Sequence, residues 1–230
     1  MSTRDPEPFP STLFHENVGD GLVVQGALHA PPGGAELGLV LTHGAGSSST
    51  SPLLVALADA LVARGVAVLR CDLPFRQVRP HGPPSPAGAA RDRAGLRAAV
   101  LALARTGPTR VGLGGHSYGG RQASMLAADE PGLARSLLLL AYPLHPPNRP
   151  AELRVAHFPR LHTPALFVHG TADAFGSVAE LRRALTGIPA PTSLHLEPGV
   201  GHDLGASGRS LTAPRDLAAR VATRWLELEP

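Results

Sequence analysis

The sequence predicts an α/β fold: a mainly parallel sheet with helices on both faces. Three observations lead there. Short apolar runs recur, among them LGLVLTH (37–43), SLLLLAYP (136–143) and ALFVHG (165–170), without the polar alternation of half-exposed strands. Between them lie segments whose apolar residues repeat at helical spacing. Glycine and proline punctuate the boundaries, as they do in βα units.

Taken in order, residues 1–20 are expected to be a loose lead-in, and LVVQGALHAP (22–31) an edge strand ending at Pro31. The strand 37–43 follows, then GAGSSSTSP and a helix over 53–65. There Leu54, Leu57, Ala58 and Leu61 share a face, and Gly65 suits the C-terminal cap. VAVLRCDLP (66–74) is the next strand. After a proline-rich loop, 90–106 reads as a helix with Leu96, Val100, Leu103 and Ala104 on one side. TRVGLGGHS (109–117) is a strand that opens into a helix near Gly119, and 136–143 is a strand again. A Pro- and His-rich segment, 143–164, leads to the strand 165–170, a helix over 177–187 and the strand 192–198. The chain closes on a helix over 213–228, with Leu217, Val221 and Trp225 spaced by four.

Composition bounds the function. The 230 residues, 43% hydrophobic and 17% charged, suit one globular domain able to bury about 70% of its unfolded surface. No run approaches the roughly 20 apolar residues of a membrane span. MSTRDPEPFP has no apolar core of a signal peptide, and Cys71 is a lone cysteine, so a cytoplasmic protein without disulfides is expected. Every one of the 21 basic residues is arginine, which excludes lysine Schiff bases and a P-loop lysine. The arginines are dispersed and the net charge is only +3, so no nucleic-acid or membrane partner is expected.

In open α/β sheets, ligands bind beyond the carboxyl ends of the strands, so chemistry should follow each apolar run. Gly115-His116-Ser117-Tyr118-Gly119 matches G-x-S-x-G after one strand and before one helix. The pattern alone is weak, since chance supplies about 0.2 such matches in this composition. A serine becomes a nucleophile only with a base, and the base needs an orienting group. Asp173 follows ALFVHG and His202 follows TSLHLEP, so three reactive groups lie at three strand ends in the order Ser, Asp, His. Other readings stand beside this one. Asp173 could cap the next helix or make an Asx turn, Asp203 is an alternative partner for His202, and Asp72 a loop-capping carboxylate. The loop His43-Gly44-Ala45-Gly46 offers Ala45 as one backbone donor to an oxyanion, and Tyr118, after the serine, offers the other.

At these residues the sequence resembles the α/β-hydrolase superfamily. LTHGAGSSSTSP, CDLPFRQVRP, GGHSYGGRQASMLAAD and HFPRLHTPALFVHGTADAFGS resemble a small subgroup with testis-expressed protein 30 and the hydrolase-like domain of nonspecific-lethal complex subunit 3. The chain is also similar to dienelactone-hydrolase-like enzymes, although those proper use cysteine where Ser117 stands. The resemblance, over roughly 37–204, implies an α/β-hydrolase fold with Ser117, Asp173 and His202 as triad. The expected activity is cleavage of a small-molecule carboxylic ester or thioester without metal or cofactor. An acyltransferase or peptidase would use the same residues, and a non-catalytic interaction module is the alternative from another class.

The segment 143–164 leaves room for only a small lid, hence an open site. Arg76 and Arg79 follow the strand carrying Asp72, and Arg121 lies in the first turn of the helix after Ser117. Each could meet an anionic substrate group or be a solvated or structurally paired arginine, and Arg76 is the leading candidate. Phe75 and His116 are further substrate-binding candidates. His145, His157, His162 and His169 form no metal-ligand pattern. The sequence leaves the oligomeric state open.

Overall fold

The computed structural model describes residues 10–206 and 213–228. Eight strands form one sheet in the order β1-β2-β4-β3-β5-β6-β7-β8. These are β1 (Ser11–Gly19), β2 (Leu22–His29), β3 (Leu37–Thr42), β4 (Ala67–Cys71), β5 (Arg110–His116), β6 (Leu137–Leu140), β7 (Ala165–Gly170) and β8 (Thr192–Glu197). From β4 to β8 every pairing is parallel, and β2 runs antiparallel to both β1 and β4. The central strands β3, β4, β6 and β7 are buried at every residue, which explains their unbroken apolar runs.

The lead-in needs correction. Residues 11–19 are not loose: they form the edge strand, and β2 lies one place in from it. Asp20 and Gly21 both take positive φ, 51° and 64°, as the two-residue turn of a tight hairpin requires. The expectation for residues 1–9 lies outside the described residues.

Helices α1 (Pro52–Val62) and α6 (Ala213–Leu226) cover one face of the sheet. Trp225, fully buried, packs there with Leu54, Leu57, Leu61 and Val221. Helices α3 (Ala89–Arg105), α4 (Tyr118–Asp129) and α5 (Val178–Leu185) cover the other face with Leu96, Leu103, Leu126 and Leu181. Between β4 and α3 the chain makes one more short helix, α2 (Pro74–Val78), inside what the sequence presents as loop. The segment between β6 and β7 contains only a three-residue 3-10 turn at Phe158–Arg160. It is held down by the Tyr142 hydroxyl, which donates to the Arg154 carbonyl at 2.6 Å.

Candidate active site

The strands β3, β5, β7 and β8 end at one edge of the sheet, and each delivers a loop to the same cavity. At the end of β5, Ser117 adopts φ 50° and ψ −114°, a conformation that L-residues avoid unless their surroundings impose it. The imposition is visible. The Ser117 N–H is fixed on the Leu140 carbonyl of β6 at 2.8 Å, and α4 begins at the very next residue. Gly119 lets the helix pass under the β3 loop, since a Cβ there would lie 2.5 Å from the His43 carbonyl oxygen.

His202 comes from the loop after β8. Its Nε2 lies 2.7 Å from Ser117 Oγ, and its Nδ1 lies 2.8 Å and 3.0 Å from the two Asp173 carboxylate oxygens. With Nδ1–H donating to the carboxylate, Nε2 is left to accept the serine proton. The Asp173 side chain is wholly buried, and the Phe175 N–H donates to its Oδ1 at 2.8 Å. Asp173 thus makes the Asx turn that sequence offered as the alternative and faces His202 as well. The cap of α5 is Ser177, and His202 turns to Asp173 rather than Asp203. Phe175 stacks on the imidazole with centroids 4.0 Å apart. His116 supports the same loop, its Nε2 donating to the His202 carbonyl at 2.8 Å, and burial pushes its pKa down.

Opposite the serine, the loop after β3 comes close enough that a Cβ on Gly44 would lie 3.4 Å from Ser117 Cβ. Four side chains tie this loop down. His43 is buried, donates from Nδ1 to the Gly44 carbonyl and accepts the Leu73 N–H on Nε2; burial keeps its pKa below the usual value. Asp72 Oδ1 accepts the Ser49 N–H at 2.7 Å, the loop-capping role, while the Arg70 guanidinium donates to the Ser49 carbonyl. Arg76 donates to the carbonyls of Ala45, Ser47, Arg79, Pro80 and Gly82.

This overturns the substrate role expected of Arg76. Its guanidinium is buried and spent on backbone oxygens, so it organises the loop instead of meeting a ligand. Phe75 is corrected too. It does not line the cavity but packs behind it, between the rings of His43 and Tyr118, with the Arg76 guanidinium over its face. Ala45, His116 and Tyr118 do line it.

The cavity measures about 680 Å³. Besides the loop residues, Ser117 and His202, its walls include Pro83 to Pro86, Met125, Pro143, Arg121, Gln122 and Arg154. Two residues around the cavity escape a sequence reading. Asp92, fully buried on α3, accepts the Tyr118 hydroxyl at 2.7 Å and the Phe75 N–H at 3.0 Å. Its signal was a carboxylate on the apolar face of a helix, one turn before Leu96. Arg154 sits in an irregular segment and gave no signal.

A doubly flanked parallel sheet with a serine at a strained strand-to-helix turn defines the class of α/β-hydrolase folds. The chain belongs to the α/β-hydrolase domain family, whose sequence pattern it matches over residues 35–228. Its structure is similar to a dienelactone hydrolase from Anabaena variabilis, with a TM-score of 0.72 and 23% identity over 94% of this chain and 98% of the other. It is also similar to an α/β serine hydrolase homologue from Coxiella burnetii, with a TM-score of 0.70 and 19% identity over 94% and 99%. A third, an α/β serine hydrolase without lid from Xanthomonas campestris, gives 0.66 and 18% over 96% and 98%. At such identities the likeness is one of fold. Among the described residues, no helix is long and apolar enough to cross a membrane.

Proposed function

We propose that this chain is a serine hydrolase that cleaves a carboxylic ester or thioester through an acyl-enzyme. The observation that carries the proposal is the unbroken relay Ser117 Oγ–His202 Nε2–Asp173, at 2.7 and 2.8 Å. Ser117 attacks the acyl carbon while His202 takes its proton, and Asp173 holds the imidazole in the required tautomer and stabilises its cation. The backbone N–H groups of Ala45 and Tyr118 receive the developing oxyanion, each worth about 3–4 kcal/mol in the transition state. His202 then protonates the leaving alcohol or thiol. A water molecule deprotonated by the same imidazole attacks the acyl carbon, and Ser117 leaves with the proton.

The mostly uncharged walls and the volume suit a small-molecule substrate. Placement in the testis-expressed protein 30 subgroup rests on the quoted motifs, and a cytoplasmic location rests on Cys71, buried and without a disulfide. The test is hydrolysis of short-chain 4-nitrophenyl esters and thioesters by the wild type and Ser117→Ala. Turnover by the wild type, reduced to background in Ser117→Ala, is the expected result. Equal turnover by both proteins would refute the proposal.

A further inference from the structure

Among the described residues, Arg121 and Arg154 are the only fixed cations in the cavity wall, and no carboxylate lines it. Arg121 stands one turn along α4 from the nucleophile, its N–H bonded to the Ser117 carbonyl at 2.9 Å. Its Nε is buried and lacks a hydrogen-bond partner among the described residues. Arg154 reaches the same wall from the segment between β6 and β7. Burial, and then the neighbouring Arg121 guanidinium, push its pKa down. The nearby carboxylates are engaged elsewhere: Asp129 with Arg160 at 2.9 Å and Glu152 with Arg149 at 3.1 Å. Two part-buried guanidiniums in one cavity wall, with the neighbouring carboxylates bonded to other arginines, repel each other. A bound anion relieves that cost.

We propose that Arg121 and Arg154 form an anion subsite one helical turn from Ser117, and that the preferred substrate is an ester with a carboxylate on the limb that reaches them. The proposal rests on the serine-hydrolase reading and deepens it. Arg76, the leading sequence candidate for this task, has no free donor for it. The remaining walls, Pro83 to Pro86, Met125 and Pro143, take the apolar limb.

Two ester series test the subsite. The first compares the 4-nitrophenyl monoester of glutaric acid with 4-nitrophenyl hexanoate, which places the anion on the acyl limb. The second compares the butyrate esters of 4-hydroxybutanoate and of pentanol, which places it on the alcohol limb. The expected result is a kcat/KM at least about tenfold higher for the anionic member of one series. That ratio falls toward one in Arg121→Gln and Arg154→Gln. A ratio near one in both series overturns the proposal. So does a ratio that both variants leave unmoved, since a merely structural arginine would slow both esters alike. Labelling of Ser117 by a neutral fluorophosphonate separates the two failures. An adduct with no anion preference removes the subsite alone, whereas no adduct and no turnover removes the hydrolase reading and the subsite with it.

Discussion

Ser117 holds its strained backbone because residues around it leave the chain no other path. Gly119 is one of them: a methyl group there would strike the His43 carbonyl at 2.5 Å. Gly119→Ala is expected to destabilise the fold by about 2 kcal/mol or more and to lower the proposed ester turnover with it, measurable by urea unfolding and initial rates. Arg76 carries a different prediction. Its removal leaves five carbonyls short of a donor and frees the loop that offers the Ala45 N–H. Arg76→Leu should cost about 3 kcal/mol of stability and lower kcat more than it raises KM; an unchanged kcat in a folded variant would contradict the positioning role. Of the residues proposed as triad, Ser117 and Asp173 were legible because each follows a buried strand, and His202 because it follows the part-buried β8, so sequence alone assigns them to one edge. The task of Arg76 was not legible, because its partners are backbone oxygens brought together only by the fold.

Elements differed in legibility for reasons of burial. The doubly covered strands announce themselves as apolar runs, and α1 and α3 by their periodicity. β1 does not, because most of its side chains are exposed and its inward face, Phe14, Glu16 and Val18, is interrupted by a charge. The Asp20-Gly21 pair between two extended segments was the available signal, and it marks the hairpin turn. α2 is five residues long, too short for periodicity, and exists because Asp92 accepts its Phe75 N–H and Arg76 anchors it. α5 stands on its capping box: Ser177 Oγ accepts the Glu180 N–H, and the Glu180 carboxylate accepts the Ser177 N–H at 2.8 Å. Ser177→Ala is expected to cost about 1 kcal/mol by thermal unfolding. The site should feel it, because Ser177, the cap of α5, lies only four residues after Asp173.

The whole molecule is a sheet between two apolar layers, with its reactive groups on one edge. Trp225 fills the layer shared by α1 and α6, far from that edge, so Trp225→Ala should cost about 3–5 kcal/mol without changing substrate preference. Acid stability follows from two buried histidines. His29, through burial and then Arg70, and His157, through burial and then Arg121, have pKa values lowered to about 4 from 6.5. Below pH 6.5 the unfolded chain binds protons that the folded chain refuses. Stability is therefore full above pH 6.5 and declines as pH falls toward 4, by on the order of 2 kcal/mol per histidine. Thermal melts from pH 8 to 4 should show this decline, and His157→Gln should flatten it.

The central claim, that Ser117 is a nucleophile activated by His202 and Asp173, is tested most directly by intact-protein mass spectrometry after fluorophosphonate treatment. A single adduct on the wild type, mapped to Ser117, absent from Ser117→Ala and formed at least about a thousandfold more slowly in His202→Ala, is the predicted result. A folded wild type that takes up no label, or a Ser117→Ala variant that labels as fast, would contradict it.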